Sequence, residues 1–233
     1  MKKAEETNKG PDSHSHILTS LYTAYDSWVG QYSFACHKGC ASCCTQFVTI
    51  TTLEGERIIA FLRKHQLIEK FSQFLKGRST SMRPLQTTNQ FAAQCLAEKE
   101  SSEDNMPDWD FTPCIFLENN ECLIYQVRPF SCRSFSSFQS CSTTGSAEVD
   151  PILITMNTVV QQIIEHNSSE AGWWGNMIDI LRLLIVTEEE GESKKHVLPA
   201  QPNPGFLIHP DEVRSVEAFF ARLKLAQACG PDL

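Results

Sequence analysis

No stretch of this 233-residue chain stays apolar for the roughly 20 residues that a bilayer-crossing helix requires. The opening residues, MKKAEETNKGPDSHSH, carry two lysines, but polar and acidic residues follow where a secretory signal would place its apolar core. Positive charge is scarce too. Twenty lysines and arginines stand against 28 acidic residues, and the net charge of −8 argues against nucleic acid or an anionic membrane as a partner. No internal repeat is visible, and no glycine-rich strand–turn–helix offers an ordinary nucleotide or methyl-donor pocket. From these absences we expect a cytoplasmic protein whose residues 1–16 form a disordered tail.

Cysteine, by contrast, is abundant, with ten residues at Cys36, Cys40, Cys43, Cys44, Cys95, Cys114, Cys122, Cys132, Cys141 and Cys229. Four of them crowd into the nine residues of CHKGCASCC, from Cys36 to Cys44. In a reducing compartment, clustered thiols serve as metal ligands or redox groups more often than as disulfides. Thiolates bind soft and borderline metals, and short spacers let a few residues present several sulfurs to one centre. Cys114, Cys122 and Cys132 form a second group, and Cys141 follows closely enough to join as an eighth ligand. That is too many sulfurs for one mononuclear site. Adjacent Cys43 and Cys44 rarely converge on one ion without strain, so they serve two centres, or one of them supports the other. Cys95 and Cys229 have no partner in sequence and read as small buried apolar residues.

The remaining pattern is mainly helical. Ile17, Leu18, Leu21, Tyr22, Tyr25, Trp28, Val29 and Tyr32 describe one face of an amphipathic helix that ends before the cysteine loop. QFVTI suits a short strand, and Thr51 or Thr52 caps a helix through LEGERIIAFLRKHQLIEKFSQFL. A break near Gly77 and Pro84 leads to a short helix at NQFAAQCLAEKE, then to a polar loop, SSEDNMPDWD. In PCIFLENNECLIY, two apolar runs flank Asn119 and Asn120, which tolerate the positive φ of a tight hairpin turn. Pro129 suits a first helical position, with Cys132 in the first turn. Further on, PILITMNTVVQQIIEHN and GWWGNMIDILRLLIV read as two helices packed as a pair. A Pro-rich connector spans residues 187–205, and Pro210 opens a final helix. The expected architecture is therefore a helical domain with a small β-hairpin and loops organised around a cysteine-ligated metal site. Residues 17–145 make the cysteine-cluster metal-binding domain, and residues 146–233 supply helices that pack on it.

Taken together, CHKGCASCC and PCIFLENNECLIYQVRPFSCR resemble the YkgJ-type cysteine-cluster family of zinc- or iron-chelating proteins, which is related to flagellin lysine N-methylases. Cys36, Cys40, Cys43, Cys44, Cys114, Cys122, Tyr125, Arg128, Pro129, Cys132 and Arg133 match its pattern, while Ile115 stands where proline is common. The resemblance covers roughly Phe34 to Arg133 and implies metal chelation without a defined reaction. It implies a ligand set of Cys36, Cys40, Cys43, Cys44, Cys114, Cys122 and Cys132, to which Cys141 is added as a candidate. Buried thiolate–metal centres carry negative charge that cations or backbone donors must compensate. Arg128, Arg133 and Lys38 are the natural cations, Tyr125 a shield or hydrogen-bond donor, and His37 a substitute ligand.

Several functions remain open on these residues. An iron or iron–sulfur centre is ranked slightly above zinc on the number of sulfurs, with a redox or methyl-transfer role. The spacing Cys36-x3-Cys40-x2-Cys43 is also that of radical S-adenosylmethionine enzymes, but Ser42 replaces their usual aromatic residue and the alternation of a βα barrel is missing. A structural zinc module is the alternative, with a protein partner bound through the C-terminal helices and anchored by Trp173 and Trp174. A metal-handling protein without catalytic activity is the third.

Overall fold

The computed structural model describes residues 11–76, 84–99, 111–185 and 194–229. Helix α1 spans Pro11–Val29, so the helix reaches back into the segment expected to be a disordered tail. Its side chains Leu18, Leu21, Tyr22, Tyr25 and Trp28 recur every three or four residues and are all buried. They pack on α7 (Pro151–Asn167) and α9 (Val213–Cys229) through Leu153, Met156, Val160, Val216 and Phe219. The turn expected at Pro210 is a 3₁₀ turn, Pro210–Glu212, that leads directly into α9.

Strand β1 (Thr49–Thr51) falls at the end of QFVTI and runs straight into α2 (Thr52–Lys64). Thr51 caps that helix. Its hydroxyl accepts from the Glu54 N–H, and the Glu54 side chain accepts from the Thr51 N–H, which is a complete capping box. The expected single long helix is broken at Gln66, whose φ of 58° is left-handed. The Leu67 N–H then donates back to the Leu62 carbonyl, and α3 (Ile68–Lys76) sets off separately. This turn brings Leu67 and Ile68 against the second apolar cluster, which contains Ile58, Leu62, Phe71, Phe116, Met177 and Leu181. Residues 77–83, with the expected break at Gly77, and the loop at 101–110 lie outside the described residues.

The GWWGNMIDILRLLIV segment departs from the helix expected of it. Trp173–Asn176 is a strand, β4, and only Met177–Ile185 is helical, as α8. Strand β4 pairs antiparallel with β1 on one side and β5 (Leu198–Pro199) on the other, so part of the expected connector is a sheet edge. Gly175 opposes Ile50, and a Cβ there would stand 3.0 Å from Val197. Local periodicity could not reveal a strand whose partners lie far away in sequence. Nor do α7 and α8 form the expected pair, because α7 belongs to the first cluster and α8 to the second. Helix α8 lies on α2, where a Cβ at Gly55 would stand 2.8 Å from Leu184 and 2.9 Å from Ile180. Helix α4 (Thr88–Leu96) is tied to α7 through its first turn, where Asn89 donates from its backbone to the Glu165 carboxylate.

Glu54 joins these parts. Buried at 5% exposure, its carboxylate accepts from the Tyr22 hydroxyl of α1 at 2.9 Å, the Thr51 N–H at 3.1 Å and the Phe130 N–H at 2.8 Å. Phe130 opens helix α5 (Phe130–Ser134), so one side chain fixes α1, α2 and α5 together. Burial raises the Glu54 pKa above its ordinary 4.5, with the donors pulling the other way. The folded chain therefore holds this proton more tightly than the unfolded chain does. The associated stability is fullest below about pH 4.5 and is lost as the pH rises through the raised value. Glu54→Ala should lower the free energy of unfolding by about 3 kcal/mol, because three buried donors lose a charged acceptor. It should also flatten the pH dependence of stability above pH 4.5, both read from urea unfolding at several pH values.

Candidate metal centre

The cysteine loop leaves α1 at Gly30 and is built from successive turns. The Cys40 N–H donates to the His37 carbonyl, Cys44 to Ala41, and Thr45 to Cys43. Gly39 sits at φ 88°, a conformation that favours glycine, within the first of these turns. Cys36 and Cys43 are exposed, and Cys40 and Cys44 are half-buried.

Beyond Cys44 the chain meets the second cysteine group directly. The Cys114 N–H donates to the Cys44 carbonyl and the Gln46 N–H to the Thr112 carbonyl, both at 2.9 Å, around a bridge between Thr45 and Pro113. This short antiparallel ladder joins residues far apart in sequence and makes the two halves of the motif neighbours. Cys114 leads by one turn into the hairpin β2 (Leu117–Glu118) and β3 (Glu121–Cys122). The residue directly across from Cys122 is Leu117. Asn119 and Asn120 take φ of 51° and 61°, the left-handed pair that a two-residue hairpin turn demands. The chain then passes through a 3₁₀ turn at Tyr125–Val127 into α5, with Pro129 as its N-cap rather than its first residue, and Cys132 in its first turn.

Cys141 arrives by another route. The Ala35 N–H donates to the Ser137 carbonyl at 2.9 Å, and the rings of Phe34 and Phe138 stand 5.3 Å apart, with Tyr32 against both. Three residues beyond Phe138, Cys141 opens the short helix α6 (Cys141–Thr144), near Cys36. Tyr32, Phe34 and Phe138 are the signal in the sequence for this clasp, which cysteine spacing does not contain.

The thiols influence one another. Cys43 is held protonated above all because it donates to Cys44, whose pKa falls in return. Burial pushes the Cys114 thiol up to about 11 and raises Cys122 as well. Burial also raises Cys132 strongly, and repulsion from Cys114, Cys122 and Cys43 adds to it. Cover over the Cys36 sulfur and the proximity of Cys40, Cys43 and Cys141 both oppose its ionisation. Such a group can ionise together only around a cation.

Among the cations, Arg128 is placed to act on the thiols. Its charge favours the ionised forms of Cys43 and Cys122, its guanidinium lies 4.2 Å from the centre of the Tyr125 ring, and its Nε is buried without a partner. Tyr125 itself is exposed. Arg133 donates through its Nη1 to Asp26 at 2.6 Å and lies 4.7 Å from the centre of the Tyr22 ring, and its Nε, like that of Arg128, is buried without a partner. Lys38 pairs at 3.3 Å with Glu121 at the start of β3, and His37 is exposed, its Nδ1 donating to the Ala35 carbonyl. Cys95 is exposed, not buried, because α4 buries only Asn89 and Ala92. The Cys229 side chain lies outside the described ones. Trp173 and Trp174 are half-buried in β4.

Among the described residues, no three His, Cys, Asp or Glu side chains converge closely enough to hold one ion. The backbone therefore brings the thiol-bearing segments together without closing a ligand shell. The donor chemistry fits a zinc or iron centre: clustered sulfurs, with a buried arginine N–H beside them that lacks an acceptor.

The family model described as "CxxCxxCC: Putative zinc- or iron-chelating domain" matches residues 35–151, half of the chain. No curated protein and no solved structure matches it.

The hairpin turn allows a direct check of how the site is assembled. Asn120→Gly should stabilise the chain by about 0.5–1 kcal/mol, because glycine takes the left-handed conformation at no steric cost. Asn120→Ala should destabilise it by about 1 kcal/mol, and urea unfolding of the two variants gives both values.

Proposed function

Because the chain belongs to the CxxCxxCC family of zinc- or iron-chelating domains, we propose that it chelates zinc or iron through Cys36, Cys40, Cys43, Cys44, Cys114, Cys122, Cys132 and Cys141. The observation that carries this reading is the ladder from Cys44 to Cys114, which brings the backbones of two sequence-distant thiol groups side by side. Arg128 supports the centre, its free Nε–H turning to a metal-bound thiolate and its charge offsetting the anionic sulfur. The contact between Cys43 and Cys44 makes Cys44 the easier of the two thiols to ionise and Cys43 the harder.

The number of thiols favours iron, in a cluster, if all of them serve a single centre. Such a cluster would supply electron transfer or the activation of a methyl donor. Zinc would instead make the same cysteines a closed structural site, with stability as its main effect.

Full-length protein purified without air should contain zinc or iron bound in proportion to protein. Acid-labile sulfide and a brown colour would identify a cluster, and colourless protein with zinc would identify the structural reading. Removal of the metal by a strong chelator should lower the thermal midpoint. Protein that is fully folded with no metal, and that takes up neither ion, would sink the reading. Arg128→Gln should weaken metal affinity about 10- to 100-fold, the range for loss of an outer partner. Arg133→Gln, whose partner is Asp26, should leave affinity unchanged, and competition with a chromophoric chelator measures both.

A further inference from the structure

Strand β1 lies at one edge of its sheet, with β4 on its other side. Successive carbonyls along a strand point to opposite sides. The Val48 carbonyl accepts from the Met177 N–H on the β4 side, so the next carbonyl, of Thr49, faces the open edge. There it meets α5: the Ser131 hydroxyl donates to it at 2.7 Å, and Gln161 of α7 reaches the same hydroxyl at 3.5 Å. One residue earlier, the Phe130 N–H donates to the Glu54 carboxylate at 2.8 Å. Two consecutive residues thus pin the first turn of α5, one to α2 and one to the edge of β1.

The backbone that receives Ser131 is the backbone that carries the ladder. Cys44 and Gln46 pair with Cys114 and Thr112, and the Gln46 carbonyl also accepts from the Asn176 amide at 2.9 Å. Three residues later the same run offers the Thr49 carbonyl. Residues 44–51 therefore act as a ruler, with the Cys44–Cys114 ladder at one end and the Ser131 clamp at the other. Cys132 follows Ser131 directly, and its own N–H stays within the turn, on the Pro129 carbonyl. The place of Cys132 relative to the ladder is thus set by its neighbour.

We propose that Ser131 is a positioning residue for the metal centre, holding α5 through the Thr49 carbonyl so that Cys132 keeps a fixed register to the Cys44–Cys114 ladder. This inference rests on the chelation reading and adds a residue that no cysteine spacing marks. Without the hydroxyl, α5 keeps its tie to Glu54 but can pivot about Phe130, and an edge carbonyl loses its donor.

The test titrates full-length reduced protein, without air, with cobalt(II), a coloured stand-in for zinc or ferrous iron. Its thiolate charge-transfer band reports the sulfurs bound. Ser131→Ala should lower cobalt affinity about tenfold, the lower end for loss of an outer partner, and should weaken that band. Ser131→Thr keeps the hydroxyl and should match the wild type. A small cleft lined by Thr49, Glu54, Phe130, Ser131, Gln161 and Trp174 leaves room for its methyl group. Ser131→Val has the shape of threonine without the hydroxyl; it should behave as the alanine variant, and it decides the matter if that one fails to fold. Thr155→Ala is the control for stability alone, since Thr155 donates to Glu212 at 2.7 Å between α7 and the turn before α9. It should lower the thermal midpoint and leave affinity and spectrum unchanged. Wild-type affinity and spectrum in Ser131→Ala or Ser131→Val would overturn the inference. An equal loss in Thr155→Ala, or a loss that Ser131→Thr shares, would overturn it too. A wild-type chain that takes up no metal would instead defeat the chelation reading, and the two failures are distinguishable.

Discussion

The Glu54 carboxylate is the tie on which the rest of the structure depends. A buried carboxylate is tolerable only when donors surround it, and here they come from three separate elements: Tyr22 of α1, the Thr51 cap and Phe130 at the start of α5. Each partner therefore loses its place if another moves. The aromatic rings that enclose it, Tyr22 and Tyr25 against Phe130, hold water away and strengthen these bonds. Two arginines, Arg57 and Arg133, lie over the Tyr22 ring and bring compensating charge. Cys132 lies two residues beyond Phe130, so the position of the second thiol group follows from a contact that involves no cysteine.

Around this frame the thiol site faces the opposite problem. Buried carboxylate charge meets fixed donors, but clustered thiols repel one another when ionised and favour their protons when dry. The protein meets this by placing one sulfur as donor to its neighbour and one arginine beside the others. Backbone hydrogen bonds hold the loops against one another. The cysteines proposed as ligands come from five separate parts of the fold: the loop after α1, the ladder at Cys114, β3, α5 and α6.

What the sequence disclosed followed the range of the interactions concerned. Capping by Thr51, the Asn119–Asn120 turn and the α7 boundaries at Pro151 and Asn167 are set by residues within a turn or two, and each was legible. Trp173 to Asn176 was read as helix because its apolar residues continue the pattern of MIDILRLLI. Its strand character comes from β1 and β5, which no local pattern contains. Spacing gave the clustering of the cysteines, but their order in space depends on the Cys44–Cys114 ladder and the aromatic clasp. The division of labour between Arg128 and Arg133 was hidden for the same reason: Asp26, which holds Arg133, is distant in sequence.

The packing of α1 on α9 has a kinetic consequence. These are the first and last helices of the described chain, and their contact closes the cluster around Trp28 and Phe219. A contact of such high sequence separation carries the full entropic cost of loop closure before any apolar burial rewards it. On a ribosome, every cysteine from Cys36 to Cys141 emerges before the helix that completes this cluster. The thiol-bearing region is therefore synthesised while the Trp28 face of α1 still lacks the cover that α9 supplies. That face stays open to misassociation until the last helix is made.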